Sequence, residues 1–338
     1  PARSNMAAKI HKFSQFRHSL LNFSRYKAYR LLSTSQRCRV SVKSNNDVDD
    51  ETHFGFERVK ESEKGEKVYE VFHRVADTYD LMNDAMSGGV HRLWKDHYME
   101  KLAPTPGTKL LDVAGGTGDI AFRFLKYVEN EGEAPVHTDQ DFMFDIPIDV
   151  MASDYMNDIE SDKDVPPGRA QLPGSHVTVC DINQAMLQVG KDKSRALNHP
   201  EERISWVRGN AENLPIPDNT YDAYTIAFGI RNCTHVDKVL DEAYRVLKPG
   251  GRFTCLEFSK VNNTILRNIY DQYSFQVIPV LGQLLAKDWR SYQYLVESIR
   301  QFPNQETFKS MIEEAGFSAV TYENLTFGVA TIHSGYKL

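Results

Sequence analysis

The sequence predicts an α/β fold built on a mostly parallel, doubly wound sheet, and three observations predict it. Lys109 to Val113 reads as a short buried strand that runs into the turn Gly115-Gly116-Thr117-Gly118 and then a helix over Asp119 to Val128. Beyond residue 175, short apolar strand-like runs alternate with segments of helical periodicity. The chain closes on two strand-like runs, Ser318 to Leu325 and Gly328 to His333, whose short link is the mark of an antiparallel hairpin.

Residues 1–46 carry ten Lys or Arg and no Asp or Glu, with Phe13, Phe16, Leu20, Leu21 and Phe23 near helical spacing. This is the composition of a mitochondrial transit peptide, and Arg30-Leu31-Leu32-Ser33 fits a matrix-processing site. A basic tail for acidic lipid or RNA is the alternative, disfavoured by the lack of Gly or aromatic repeats. Residues 47–65 read as a polar linker and 66–338 as one domain. Within it, Val68 to Leu102 reads as two amphipathic helices broken at Ser87-Gly88-Gly89, and Pro104, Pro106 and Gly107 precede the first strand.

Residues 130–174 interrupt the alternation. Glu129 to Asp164 holds twelve acids and one base, so the segment is expected to be a surface insertion with a short helix around Asp149 to Ile159. It is read as a solvated loop, with a partner-docking arm as the sharper alternative. Strands are then expected at His176 to Cys180, Ile204 to Gly209, Tyr221 to Phe228 and Arg252 to Glu257. Helices are expected at Asn183 to Leu197, Val236 to Leu247, a long stretch from Thr264 to Arg300, and Gln305 to Ala315.

Composition narrows the function classes. The chain has 338 residues, 41% of them hydrophobic, enough for a proper core. Four cysteines without CxxC spacing argue against a zinc site or a disulfide framework and for a reducing compartment; no metal is expected. Beyond residue 46 the balance is 30 basic against 46 acidic residues, which argues against nucleic-acid binding. No apolar run reaches the roughly 18 residues of a membrane-spanning helix.

The motif Asp112-Val113-Ala114-Gly115-Gly116-Thr117-Gly118 carries the first chemistry. Its glycines let backbone turn tightly against a ligand, but Gly116-x-Gly118-x-x-Ala121 also satisfies a dinucleotide fingerprint. Asp112, ending the first strand, suits a positively charged amine and would face a pyrophosphate badly. Asp181, ending the second strand, can accept both ribose hydroxyls of either cofactor; a helix N-cap is its plainer role. Gly209-Asn210-Ala211-Glu212 follows the third strand, where an adenine edge would lie.

Longer motifs carry a resemblance. Tyr79-Asp80-Leu81-Met82-Asn83 with Ser87, His91 and Trp94 resembles one signature of the ubiquinone/menaquinone C-methyltransferases (UbiE type). Arg245 to Phe253, running on to Glu257-Phe258-Ser259, resembles the second. Phe228-Gly229-Ile230-Arg231-Asn232, Asp288-Trp289 with Ser291 to Leu295, and His333 to Leu338 are similar as well, so that the likeness covers about residues 66–338. It implies the class I S-adenosylmethionine-dependent methyltransferase fold, which is Rossmann-like with seven strands and a C-terminal antiparallel hairpin. It also implies S-adenosylmethionine as methyl donor, with contacts at Thr117, Asp181, Asn210, Ala211 and Ala227; Asp112, Gly116 and Gly118 complete the expected cofactor set. Family members often carry Ser where Ala227 stands, so only backbone could serve there. The insertion departs from the compact bacterial pattern.

The implied reaction is C-methylation of a polyprenyl methoxybenzoquinol ring in ubiquinone synthesis, on the matrix side of the mitochondrial inner membrane as a peripheral protein. Partners implied are other coenzyme Q biosynthesis proteins in a multi-subunit complex. A ring carbon is a weak nucleophile until a ring hydroxyl ionises, so a phenolate must be stabilised. Arg231 is expected to do this, with Asn232 positioning it; a surface salt bridge is its alternative role. His91, Tyr79 and Asp80 are the candidate bases, His91 being equally suited to capping its helix. The apolar stretch from Ile265 to Leu285 is expected to take the tail or face the membrane, with a core helix pair or a homodimer interface as alternatives. A nicotinamide-dependent oxidoreductase and a non-catalytic scaffold are the rival functions. A reporter fused behind residues 6–46 is expected in mitochondria; retention in the cytosol would refute the targeting assignment.

Overall fold

The computed structural model describes residues 50–130 and 174–338; the expected transit segment, and all but the two end residues of the insertion expected at 130–174, lie outside the described residues. Two short strands open the described chain, β1 (Glu51–Phe54) and β2 (Glu57–Lys60), paired antiparallel. They stand where a polar linker is expected. The stretch is polar in sequence, but Phe54 stacks on Tyr294 at 4.1 Å between ring centroids, and the Phe56 N–H donates to Glu297 Oε2 at 3.0 Å.

Three helices follow, α1 (Glu61–Val75), α2 (Tyr79–Ser87) and α3 (Val90–Leu102). The expected break holds at Gly88 and Gly89, both left-handed at φ 58° and 81°. A second break, a 3₁₀ turn at Ala76–Thr78, splits what the periodicity joins.

The sheet then builds outward from β3 (Lys109–Val113). After α4 (Asp119–Glu129) come β4 (His176–Asp181), α5 (Gln184–Ala196) and β5 (Ile204–Arg208) on one side of β3. The chain crosses to the other side with β6 (Tyr221–Ala227), α6 (Val236–Val246) and β7 (Leu247–Phe258). The helices α7 (Thr264–Gln276), α8 (Ile278–Leu285), α9 (Trp289–Gln301) and α10 (Gln305–Glu314) lead to the hairpin β8 (Ser318–Leu325) and β9 (Ala330–Tyr336). The seven strands lie in the order β5-β4-β3-β6-β7-β9-β8, with only β9 and its partners antiparallel. This is the class I methyltransferase topology. The strand order reverses between β4 and β6 around β3, which leaves a crevice beyond the carboxyl ends of these strands.

Both faces of the sheet are buried. Tyr98, Phe124, Leu125 and Leu187 pack with Leu110 and Val177 on one face; Val239, Leu240, Phe308 and Ile312 pack with Leu111, Tyr224 and Phe253 on the other. Two smaller clusters, around Met82, Ile278 and Tyr292 and around Val68, Val71 and Tyr294, tie α1, α2, α8 and α9 together beside the crevice. Phe124 is completely buried, and Phe124→Ala should cost about 3–5 kcal/mol in urea unfolding. A loss below about 1 kcal/mol would contradict this packing.

Candidate active site

Side chains alternate along β3, so Asp112 lies on the face of Leu110, while Leu111 and Val113 on either side of it point to the opposite face of the sheet. It is fully buried. Thr225 Oγ1 donates to its Oδ1 at 2.8 Å, while Oδ2 has no partner among the described residues. Burial pushes this carboxyl up to about 7, against the pull of the Thr225 hydrogen bond. A Cβ at Gly115 would stand 2.6 Å from that free oxygen and 2.7 Å from Val179 Cγ1, so only glycine lets the turn come this close.

Gly116, at φ 55°, donates its N–H to Asp181 Oδ2 at 2.9 Å, and the Asn183 N–H donates to Oδ1 at 2.8 Å. Burial raises Asp181 to about 6 in spite of these backbone bonds. The cap of α5 is Asn183, whose Oδ1 accepts from the N–H groups of Ala185 and Met186; Asp181 stays at the turn facing the glycines. A cavity of about 510 Å³ opens here, lined by Asp112, Gly116, Thr117, Asp181, Asn210, Ala211 and Ala227 among others. Gly118 is not in its lining; at φ 86° it shapes the turn, where a Cβ would meet Trp206 at 2.7 Å.

A buried carboxylate oxygen with no partner, under a turn that admits no side chain, fits a ligand ammonium. The site does not fit a pyrophosphate. Asp119, in the first turn of α4 where a phosphate would sit, also lines the cavity and is held well ionised: burial opposes this, but Lys95 and Arg123 outweigh it.

Helix α1 forms one wall of this cavity through Glu61, Gly65, Val68 and Phe72. Its start is fastened to the loop after β6. His235 lies between Glu61 Oε2 at 3.0 Å and Glu212 Oε2 at 2.9 Å, and Lys64 Nζ donates to the Cys233 carbonyl at 2.9 Å.

A second cavity of about 250 Å³ shares Phe72, Tyr79, Lys95 and Phe228 with the first. Its other walls are mainly apolar, with Met82, Met86, Val90, Ile278 and Leu295, and it contains Arg231 and His91. Phe228 holds φ at 56°, an uncommon value for a bulky residue, and its ring packs on Phe258 at 4.7 Å.

The sequence-selected residues are distributed between the two cavities. Arg231 is interior rather than on the surface: its Nη1 reaches Glu257 Oε1 at 2.9 Å and also bonds the Phe228 carbonyl, while its Nε has no partner among the described residues. Asn232 lines the first cavity and accepts from the Tyr294 hydroxyl at 3.0 Å, so the group that orients Arg231 is Glu257, not Asn232. His91 is bonded to Ser87 Oγ at 2.8 Å, and burial lowers it to about 4. Tyr79 faces both cavities with its hydroxyl pKa raised by burial. Asp80 lines neither and is ion-paired with Lys193.

Lys95, Asp119 and Glu257 escaped the reading of motifs. Lys95 adjoins Trp94 in the first signature and Glu257 stands in the closing Glu257-Phe258-Ser259 of the second, but nothing local reports which charges they meet across the fold.

Asp112 and Asp181 both ionise above their ordinary range near 3.9. A pKa raised by folding gives stability that is complete below about pH 4 and lost as pH rises through about 6 and 7. The melting temperature of ligand-free Asp112→Asn should therefore fall less than that of the wild type between about pH 4 and 7. Equal slopes would refute an unpaired, buried Asp112.

Comparison with known proteins identifies the family. The model of the ubiE/COQ5 methyltransferase family matches residues 59–337. The mitochondrial 2-methoxy-6-polyprenyl-1,4-benzoquinol methylase of Bos taurus is 59% identical over 288 residues, covering 85% of this chain and 84% of that one. The proteins of the same name from Homo sapiens and Drosophila melanogaster are 58% and 56% identical, each alignment covering 85% of both chains. A family match over nearly all the described chain, with relatives of this similarity, means that the chain belongs to the ubiE/COQ5 methyltransferase family.

Proposed function

We propose that this chain transfers a methyl group from S-adenosylmethionine to a ring carbon of a 2-methoxy-6-polyprenyl-1,4-benzoquinol, in ubiquinone synthesis. The observation that carries the reading is the unpartnered Asp112 oxygen under its glycine turn, in a cavity that shares the Tyr79–Lys95–Phe228 wall with an apolar one. Asp112 would hold the donor's ammonium, Asp181 its ribose hydroxyls, and Asn210 with Ala211 its base. The bound sulfonium supplies an already activated methyl electrophile, so the transfer as proposed calls on no metal.

The protein's own groups align and dry the reactants. Phe228, fixed by Trp94 and Phe258, and Phe72 keep water from the shared wall. The unpaired Nε of Arg231, aimed by Glu257, is a donor for a ring oxygen. His91 is neutral at neutral pH, but a pKa near 4 makes it a weak base, and its bond to Ser87 supports a packing role in α3.

The tail is assigned to the apolar end of the second cavity. The elements lining that cavity also expose Ile265, Ile269 and Leu284, two of them at 72% and 70%. We place this face against the matrix side of the mitochondrial inner membrane, within a coenzyme Q biosynthesis complex; a homodimer is the second occupant considered. Among the described residues no helix is long and apolar enough to cross a membrane.

A hundredfold excess of S-adenosylhomocysteine over its Kd should stabilise the protein by about 2.7 kcal/mol, and NADH should not; the reverse result would overturn the reading. Asp181→Ala should lose most donor affinity in calorimetry, and unchanged affinity would reject its assignment. Arg231→Ala, made with Glu257→Gln so that no lone buried carboxylate remains, should cut turnover of a prenylated methoxybenzoquinol at least about 100-fold. Turnover within a few-fold of wild type would remove Arg231 from the reaction.

A further inference from the structure

A side-chain hydrogen bond runs from one cavity to the other. Tyr294 lines the second cavity and Asn232 the first, neither lines both, and the Tyr294 hydroxyl donates to Asn232 Oδ1 at 3.0 Å. Both side chains are buried. Burial also raises the hydroxyl pKa, so Tyr294 keeps its proton and stays a donor. An amide whose oxygen is held in this way turns its NH2 to the other side, and that NH2 has no partner among the described residues. The backbone of Asn232 is held as well: it closes the 3₁₀ turn Ile230–Asn232, with its N–H on the Gly229 carbonyl at 3.0 Å.

The hydroxyl can aim only if its ring is fixed, and three residues from the start of the described chain fix it. Phe54 stacks on the ring with 14° between the planes, and Val68 and Val71 from α1 pack in the same cluster. The hydroxyl's one proton goes to Asn232, so the second cavity meets Tyr294 as ring surface and a lone pair. Arg231, next in the chain, is held by Glu257, so the amide answers to Tyr294 and not to the cation beside it. The turn that carries Asn232 also sits against the end of β3. A Cβ at Gly229 would come within 2.4 Å of the Ala114 Cβ, two residues beyond Asp112.

We propose that Tyr294, from the wall of the second cavity, is a positioning residue for the methyl donor in the first: it holds the Asn232 amide with its NH2 turned toward the donor's carboxylate. The assignment rests on the reading of the first cavity as the S-adenosylmethionine site. Asp112 and Asp181, when ionised, can only accept hydrogen bonds, so they serve the donor's ammonium and hydroxyls. A carboxylate on the same amino-acid end needs N–H groups from elsewhere, and Asn232 has two to give beside the strand that carries Asp112. The wall that faces the acceptor thereby sets how the donor is held.

The test is calorimetric binding of S-adenosylhomocysteine, and of methylthioadenosine, which lacks the amino-acid end, to wild type, Tyr294→Phe, Asn232→Leu and the double variant. Tyr294→Phe keeps the ring and its stack on Phe54. It should weaken S-adenosylhomocysteine about 5-fold or more, although Tyr294 does not line that cavity. Asn232→Leu should lose at least as much, and the double variant no more than Asn232→Leu alone. Methylthioadenosine should bind all four proteins within about 2-fold, because it has no carboxylate to lose. A Tyr294 that only supports the fold would lower the melting temperature and leave both affinities in place, which would overturn the proposal. Losses that simply add in the double variant would overturn it too, as would an equal loss for methylthioadenosine. Failure of the wild type to bind S-adenosylhomocysteine would overturn the reading of the first cavity together with the proposal. Wild-type binding that Tyr294→Phe does not change removes the proposal alone.

Discussion

A carboxylate buried at the end of the central strand constrains the rest of this structure. Asp112 is fully buried in the central strand, with one oxygen satisfied by Thr225 and the other by nothing among the described residues. Leaving such a group unpaired is costly, and the surrounding sequence is arranged around that cost. The strand needs its neighbours β4 and β6 to bring Val179 and Thr225 alongside, and the turn above needs Gly115 because no side chain fits. The strand reversal opens the crevice at this carboxylate, and the glycine turn leaves no side chain over it.

Much of this was legible in the sequence because it depends on local chemistry. The strand, the glycine turn and the following helix announce themselves through a short continuous apolar run, residues that permit left-handed backbone and helical periodicity. The closing hairpin was equally plain. Divisions set by tertiary packing were not. The stretch from 264 to 300 reads as one helical run, but Pro279 starts α8 afresh, and Gly282 makes room for Tyr292, whose ring would be 2.2 Å from a Cβ there. Strand β7 begins at Leu247, before Pro249-Gly250-Gly251, because a register shift beside β6 absorbs the extra residues. Residues 51–60 look like a linker until Tyr294 and Glu297, more than two hundred residues away, give them a surface to pack on.

The site divides along the same line. Residues that line the first cavity through type and position, such as Asp112, Gly116 and Asp181, could be chosen from motifs. Residues that act through a partner could not: Lys95 and Asp119 come from different helices, and Glu257 is joined to Arg231 across the ends of adjacent strands. Charge pairing is a property of the assembled fold, and the sequence states only one half of each pair at a time. Asn232 shows the opposite error, since adjacency to Arg231 suggested a partnership that Tyr294 takes instead.

The wall formed by α1 is seated differently from the rest of the first cavity. Its apolar residues Val68, Val71 and Val75 belong to the two small clusters and not to the sheet cores, and its leading end is tied by Glu61 to the partly exposed His235 and by the buried Lys64 to the Cys233 carbonyl. One side of the cavity therefore draws its apolar packing from α2, α8 and α9, while the strands that carry Asp112 and Asp181 draw theirs from the sheet.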